Sequence, residues 1–196
     1  MRIHEIFYSL QGEGYHVGTP AVFIRLAGCN LRCPFCDTDH EQGEEMTEEE
    51  IVKRVQEFPA RHVILTGGEP SLQLTESLIT RLHEADKYVA IETNGTHPLP
   101  PGIDWITLSP KSPFLTQSAA RPILKQCDEM KLVYTGADFS TYSQFPDIQV
   151  KHYFLQPCDT GDPTRNQALL QEAIVYCLKH PQWRLSLQTH KMIGIE

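Results

Sequence analysis

Cys29, Cys33 and Cys36 form the pattern C-x3-C-x2-C directly after the apolar run at 21–27, Ala-Val-Phe-Ile-Arg-Leu-Ala. Three thiolates from one short loop can each bind a different iron of a [4Fe–4S] cluster. The fourth iron is then left without a protein ligand and open to a small molecule. The same cysteines admit two other chemistries. His40 follows Cys36 by four residues and would complete a tetrahedral Cys3His zinc site. Disulfides are the third reading, but six cysteines in a chain opening Met1, Arg2, Ile3, His4, Glu5, with no apolar leader, do not look like a secreted scaffold. Cys127, Cys158 and Cys177 lie far apart without ligand-like neighbours and read as structural thiols, Cys177 on the apolar face of a helix.

The elements that must carry this loop show in the hydrophobic periodicity. Short apolar runs rich in β-branched residues recur at 21–27, 62–66, 88–92, 104–108, 130–134 and 152–156, with a last one near 183–188, and read as buried strands. Thr47 to Glu50 has the form of a capping box, and Ile51, Val55 and Phe58 share one helical face, so a helix is expected over 47–58. Leu74, Leu78, Ile79 and Leu82 repeat at helical spacing up to Ala85. Asp162 and Pro163 open a third helix over 163–179, with Leu170, Ala173, Ile174, Cys177 and Leu178 as its buried stripe. Strands alternating with helices imply a parallel sheet with right-handed crossovers. A complete eight-unit barrel takes ~250 residues, more than the 196 of this chain. The expected fold is therefore an α/β incomplete TIM-like barrel of about six parallel strands with few helices, in one domain spanning 1–196.

Composition excludes several partners. Hydrophobic residues at 40% and charged residues at 21% are those of an ordinary globular protein. A net charge of −8, with no run of Lys and Arg longer than two, disfavours a nucleic-acid substrate. No segment approaches the ~20 consecutive apolar residues that span a bilayer, so no membrane association is expected. A cytoplasmic location, where thiols stay reduced, follows.

Ligands of parallel α/β sheets bind beyond the carboxyl ends of the strands. After the first run comes the cysteine loop, and after the second come Thr66, Gly67, Gly68, Glu69 and Pro70. Glu92, Thr93, Asn94 and Gly95 follow the third, Ser109, Pro110 and Lys111 the fourth, and Gln156, Pro157, Cys158 and Asp159 the sixth. Each set is small, polar or glycine-bearing, as close approach of backbone to a ligand requires. Gly67 and Gly68 would leave the strand with amides and carbonyls exposed, and Glu69 could accept hydrogen bonds from an ammonium group.

On these motifs the sequence resembles the radical S-adenosylmethionine (SAM) superfamily. Phe7 to Gly14 (Phe-Tyr-Ser-Leu-Gln-Gly-Glu-Gly), Phe23 to Leu26, Gly28 to Thr38 and the closing Leu187 to Lys191 are similar, within it, to the 7-carboxy-7-deazaguanine synthase family of queuosine biosynthesis. The resemblance covers nearly the whole chain. It implies a lyase that converts 6-carboxy-5,6,7,8-tetrahydropterin to 7-carboxy-7-deazaguanine with loss of ammonia. A reduced cluster on Cys29, Cys33 and Cys36 would cleave SAM to a 5′-deoxyadenosyl radical, which takes hydrogen from C6 of the pterin.

Residue roles follow from the resemblance position by position. Leu10, Gln11, Gly12, Arg25, Thr93 and the terminal Glu196 match substrate-binding positions; chemically, Arg25 suits a carboxylate as a bidentate partner. Phe35, Cys36, Asp37, Gly95, Ser109, Pro110, Lys111, Gln156, Pro157, Cys158 and Asp159 match SAM positions, and Glu69 would take the SAM amino group. Thr38 matches a magnesium position, its hydroxyl being the kind of oxygen ligand Mg²⁺ prefers. His190 would hold the tail or donate to the substrate. A flavodoxin-type reductant and a homodimer are also implied. The alternative reading is a radical SAM activase that installs a glycyl radical in a partner protein.

Overall fold

The computed structural model describes residues 1–36, 38, 40–115, 120–137 and 145–195. β1 (Arg2–Leu10) runs antiparallel to β2 (Pro20–Leu26), and the two-residue β3 (Glu44–Glu45) pairs with the outer side of β1. α1 (Glu48–Gln56) leads to β4 (His62–Gly67), and α2 (Glu76–Glu84) to β5 (Tyr88–Thr93). β6 (Trp105–Leu108), β7 (Gln126–Tyr134) and β8 (Gln149–Pro157) follow, then α3 (Pro163–Lys179), β9 (Trp183–Leu185) and the short α4 (Thr189–Ile193).

Among the described residues, nine strands make one sheet in the order β3-β1-β2-β4-β5-β6-β7-β8-β9. From β2 to β9 every pairing is parallel. The sheet does not close, so the architecture is the expected incomplete barrel, with seven parallel strands instead of about six and two antiparallel strands on one edge.

β1 was not among the expected strands, and the pairing register explains why. Ile3 opposes Leu26 while Glu5 opposes Arg25, so one extra residue, His4, bulges from β1. The bulge puts Ile3 and Ile6 three apart on the same helix-facing side, a spacing that breaks the period of two by which a strand is read from sequence.

The two faces of the sheet divide the chemistry. On the outer face Val22, Ile24, Leu26, Val63, Leu65, Val89 and Ile91 pack beneath Ile51 and Val55 of α1 and Leu78, Ile79 and Leu82 of α2. Each fully buried Leu or Ile contributes ~1.5–3 kcal/mol relative to exposure. α1 begins at the expected capping box, Thr47 and Glu50 satisfying each other's backbone amides. α3 has the expected Asp162 cap and Pro163 start, but its stripe is rotated from the one expected: Leu169 and Ala173 are buried against Leu132, Leu155 and Trp183, Cys177 is half-buried, and Leu178 is 77% exposed. Leu169 is the correct start of the stripe because 169, 173 and 176 stay within one helical face, whereas 170, 174 and 178 drift off it. The lumen face alternates with the outer one and carries Phe23, Arg25, Ile64, Glu92, Glu129 and Lys131. No described helix is long and apolar enough to cross a membrane.

Candidate active site

A cavity of about 510 Å³ lies at the carboxyl ends of the parallel strands. Its walls hold Cys29, Cys33, Phe35, Cys36 and Thr38 from the loop after β2, Glu69 after β4, Thr93 at the end of β5, Ser109 and Lys111 after β6, and Gln156 to Asp159 at the end of β8. Leu10, Gln11, Gly12 and Arg25 complete the set brought together as expected. Gly95 and Pro110 do not line the cavity. Gly95 sits at positive φ, where a Cβ would lie 2.3 Å from Leu108 Cδ1, so glycine serves the turn and its packing there. Asp37 and Glu196 lie outside the described residues.

The cysteine loop is built by backbone contacts to its neighbours. The Gly28 carbonyl accepts from the Glu69 amide at 2.8 Å, and the Gly68 amide donates to Leu26 O at 2.9 Å. A Cβ on Gly68 would stand 2.0 Å from Gly28 O. Gly68 therefore spends its amide on the strand next door; its glycine allows the exits of β2 and β4 to touch, which corrects the expectation of an amide left exposed to ligand. Asn30 and Asn94 join through their side-chain amides at 3.1 Å, tying the loop to the end of β5.

Cys29 and Cys33 are half-buried and Cys36 is exposed. Burial pushes the Cys29 and Cys33 thiols up, and the Lys111 ammonium works against it at both. Lys111 is itself pushed down by burial, opposed by Cys33, and donates to Ser109 Oγ at 2.5 Å. Among the described residues no three His, Cys, Asp or Glu side chains gather on the point a single metal ion would occupy. Three thiols from one loop lining one cavity, with the Lys111 ammonium acting on two of them, fit a cluster in which each thiolate binds its own iron.

Glu69 is 1% exposed and its carboxylate is fixed from four sides. Oε1 accepts from the Ser71 amide at 3.1 Å, Ser71 Oγ at 2.6 Å and Thr93 Oγ1 at 2.6 Å, and Oε2 accepts from the Asn94 amide at 2.7 Å. Thr93 thus spends its hydroxyl proton on Glu69. Asp159 is held similarly: the Gly161 amide, Asn166 and Lys191 bring its carboxyl down to about 2, with Lys191 Nζ at 3.1 Å from Oδ2. That pair ties α4 to the end of β8.

Sequence reasoning missed the charged network beneath the cavity. Lys131, 5% exposed, reaches Glu13 Oε2 at 2.5 Å and Glu92 Oε1 at 3.5 Å. Gln11 Nε2 donates to Glu92 Oε1 at 3.0 Å, and Gln188 Nε2 donates to Glu13 Oε1 at 3.0 Å. Burial alone would raise the Glu13 carboxyl, but Lys131 and Gln188 outweigh it and bring it down to about 2. Lys131 is held well above the ordinary lysine range despite burial, by Glu13, Glu92 and Glu129. The signal that could have found this network is Glu129 and Lys131 two apart in an apolar strand, the spacing of a polar inward face. The tail completes the enclosure. The Thr189 amide and hydroxyl both reach Gly12 O at 2.9 Å, and His190 lies so close that a Cβ on Gly12 would be 2.0 Å from its Nδ1.

An open parallel barrel with a three-cysteine loop after its first parallel strand defines a radical SAM protein, and residues 23–126 match the family model described as the radical SAM superfamily. That membership implies a [4Fe–4S] cluster and SAM, and it removes the zinc alternative. The 7-carboxy-7-deazaguanine synthase of Bacteroides thetaiotaomicron is 56% identical over 194 residues, covering 99% of this chain and 98% of the relative. That of Bordetella pertussis is 45% identical over 215 residues, covering 98% of each. The crystal structure of QueE from Escherichia coli aligns with a TM-score of 0.74 at 28% identity, over 95% of this chain and 92% of that one. The chain belongs to the 7-carboxy-7-deazaguanine synthase family of the radical SAM superfamily.

Proposed function

We propose that this chain is a carbon–nitrogen lyase that converts 6-carboxy-5,6,7,8-tetrahydropterin to 7-carboxy-7-deazaguanine and ammonia, acting as a single cytoplasmic domain over 1–196. The observation that carries the reading is full-length similarity to synthases of that name, together with a cavity that joins three thiols and a lumen arginine. The activase alternative draws no support from these relatives.

Cys29, Cys33 and Cys36 would hold the cluster, which with SAM supplies the one-electron chemistry that removes hydrogen from the substrate. The chain's own residues bind, orient and enclose. Glu69, held rigid by its four donors, would accept from the SAM ammonium with the remaining lone pair of Oε2. Phe35, Ser109, Lys111, Gln156, Pro157 and Cys158 would form the rest of the SAM wall, and Asp159 would support that wall through its bond to Lys191. Arg25 would take the pterin carboxylate, with Leu10, Gln11 and Gly12 along the ring. Thr38, which lines the cavity beside Cys36, would give Mg²⁺ an oxygen ligand. A flavodoxin-type reductant and a homodimer belong to the same reading.

The test is anaerobic turnover with variants. Replacing any one of Cys29, Cys33 and Cys36 by Ala should abolish product, and omitting Mg²⁺ should slow its formation. Arg25→Ala should weaken pterin binding far more than SAM binding. Turnover retained without one of the cysteines would refute the proposal.

A further inference from the structure

We infer that Glu5 is a positioning residue for Arg25, gripping the guanidinium by Nε so that its two terminal nitrogens stay free for a substrate carboxylate. The inference rests on the reading of Arg25 given above and adds a residue to it. Arg25 Nε donates to Glu5 Oε1 at 2.6 Å. Nη1 and Nη2 have no hydrogen-bond partner among the described residues, and both side chains line the cavity.

The backbone is arranged to produce this grip. Glu5 and Arg25 are directly opposed across β1 and β2, the first of six consecutive pairs that run to Leu10 and Pro20, and the bulge at His4 interrupts the register just before them. His4 is itself held aside, with Nδ1 3.1 Å from Gln42 O. Two pairs further along, on the same face, Phe7 opposes Phe23 with ring centroids 4.8 Å apart, and the guanidinium carbon lies 5.5 Å from the Phe7 centroid. On the other side a Cβ on Gly67 would stand 2.9 Å from Arg25 Cγ, so the bare glycine leaves room for the arginine stem. A guanidinium offers five N–H donors in a planar fork. Using Nε for Glu5 fixes the plane and leaves the end-on pair, the geometry that meets a carboxylate with two parallel bonds.

Two effects of Glu5 oppose each other, which makes the test sharp. Its hydrogen bond orders Arg25, while its charge repels an incoming carboxylate. Glu5→Gln keeps an acceptor for Nε and removes the charge; Glu5→Ala removes both. The experiment measures anaerobic equilibrium binding to the reconstituted, SAM-loaded enzyme with Mg²⁺. The ligands are 6-carboxytetrahydropterin and the same tetrahydropterin lacking the carboxylate. Glu5→Ala should weaken the carboxylated ligand about tenfold, the worth of one hydrogen bond to a charged group, and leave the other ligand unchanged. Glu5→Gln should bind the carboxylated ligand at least as tightly as the parent. Should Glu5→Ala fail to fold, Glu5→Met, similar in volume and without an oxygen acceptor, takes its place. Equal losses on both ligands, no loss on either, or a Glu5→Gln as weak as Glu5→Ala would overturn the role of Glu5. Arg25→Ala is the separate control: if it binds the carboxylated ligand normally, the reading of Arg25 fails instead.

Discussion

A lysine can stand in the lumen of this sheet only because carboxylates surround it. Lys131 is 5% exposed, with Glu13 and Glu92 in reach and Glu129 adding to the field. Removing one partner of a buried network leaves the other charges uncompensated. Lys131→Met should therefore cost ~3–5 kcal/mol in denaturant unfolding, and adding Glu13→Gln should recover part of that loss; a single variant as stable as the parent would contradict the network. At this scale the sequence was partly legible. Cys29, Cys33 and Cys36 fall within one short loop, so their spacing carries its own meaning. Glu13 lies in the loop after β1, Glu92 in β5 and Lys131 in β7, and only the folded arrangement shows that they meet. Glu5 was illegible for a further reason, since β1 itself was not expected as a strand and only its pairing with β2 sets Glu5 opposite Arg25.

The elements act as mounts for loops, and two contacts between them can be tested separately. At the upper end, Gly68→Ala would drive a Cβ into Gly28 O, displacing the cysteine loop while the helix-facing core stays intact. Iron bound per chain after reconstitution should fall severalfold with the unfolding midpoint changed little; undiminished iron would contradict the contact. At the lower end, the loop between β1 and β2 tucks His16 against His62 and Trp105, with centroids 4.8 and 4.5 Å apart. Burial brings the His62 imidazole down to about 4, with His16 adding to the effect. The neutral form is thus the folded form. An unfolded histidine titrates near its ordinary value of 6.5, so this contribution is complete above that pH and is lost as pH falls towards 4. His62→Asn should flatten the fall in stability between those values, and an unchanged profile would place the titration elsewhere. The parallel strands and three helices were readable because apolar residues recur there at the right periods. β3 was not, because two exposed glutamates carry no pattern.

At the scale of the whole molecule, β2 serves both halves of the site, carrying Arg25 on its lumen face and the cysteine loop beyond its carboxyl end. The C-terminal turn joins the loop after β1 to the end of β8, through Thr189 on Gly12, Gln188 on Glu13 and Lys191 on Asp159. Strand-end motifs on β2, β4, β5, β6 and β8 announced this cavity, since each falls where a parallel sheet presents its loops. The tail's path over Gly12 was not announced, because contacts between residues almost the whole chain apart leave no local spacing to read. The most direct test follows the reaction itself. The reconstituted, reduced protein is given SAM, Mg²⁺ and 6-carboxytetrahydropterin under anaerobic conditions, and products are followed by mass spectrometry. The expected result is 7-carboxy-7-deazaguanine, with ammonia released in equal amount. Accumulation of 5′-deoxyadenosine with the pterin unconsumed would contradict the assigned substrate and return the activase reading to the front.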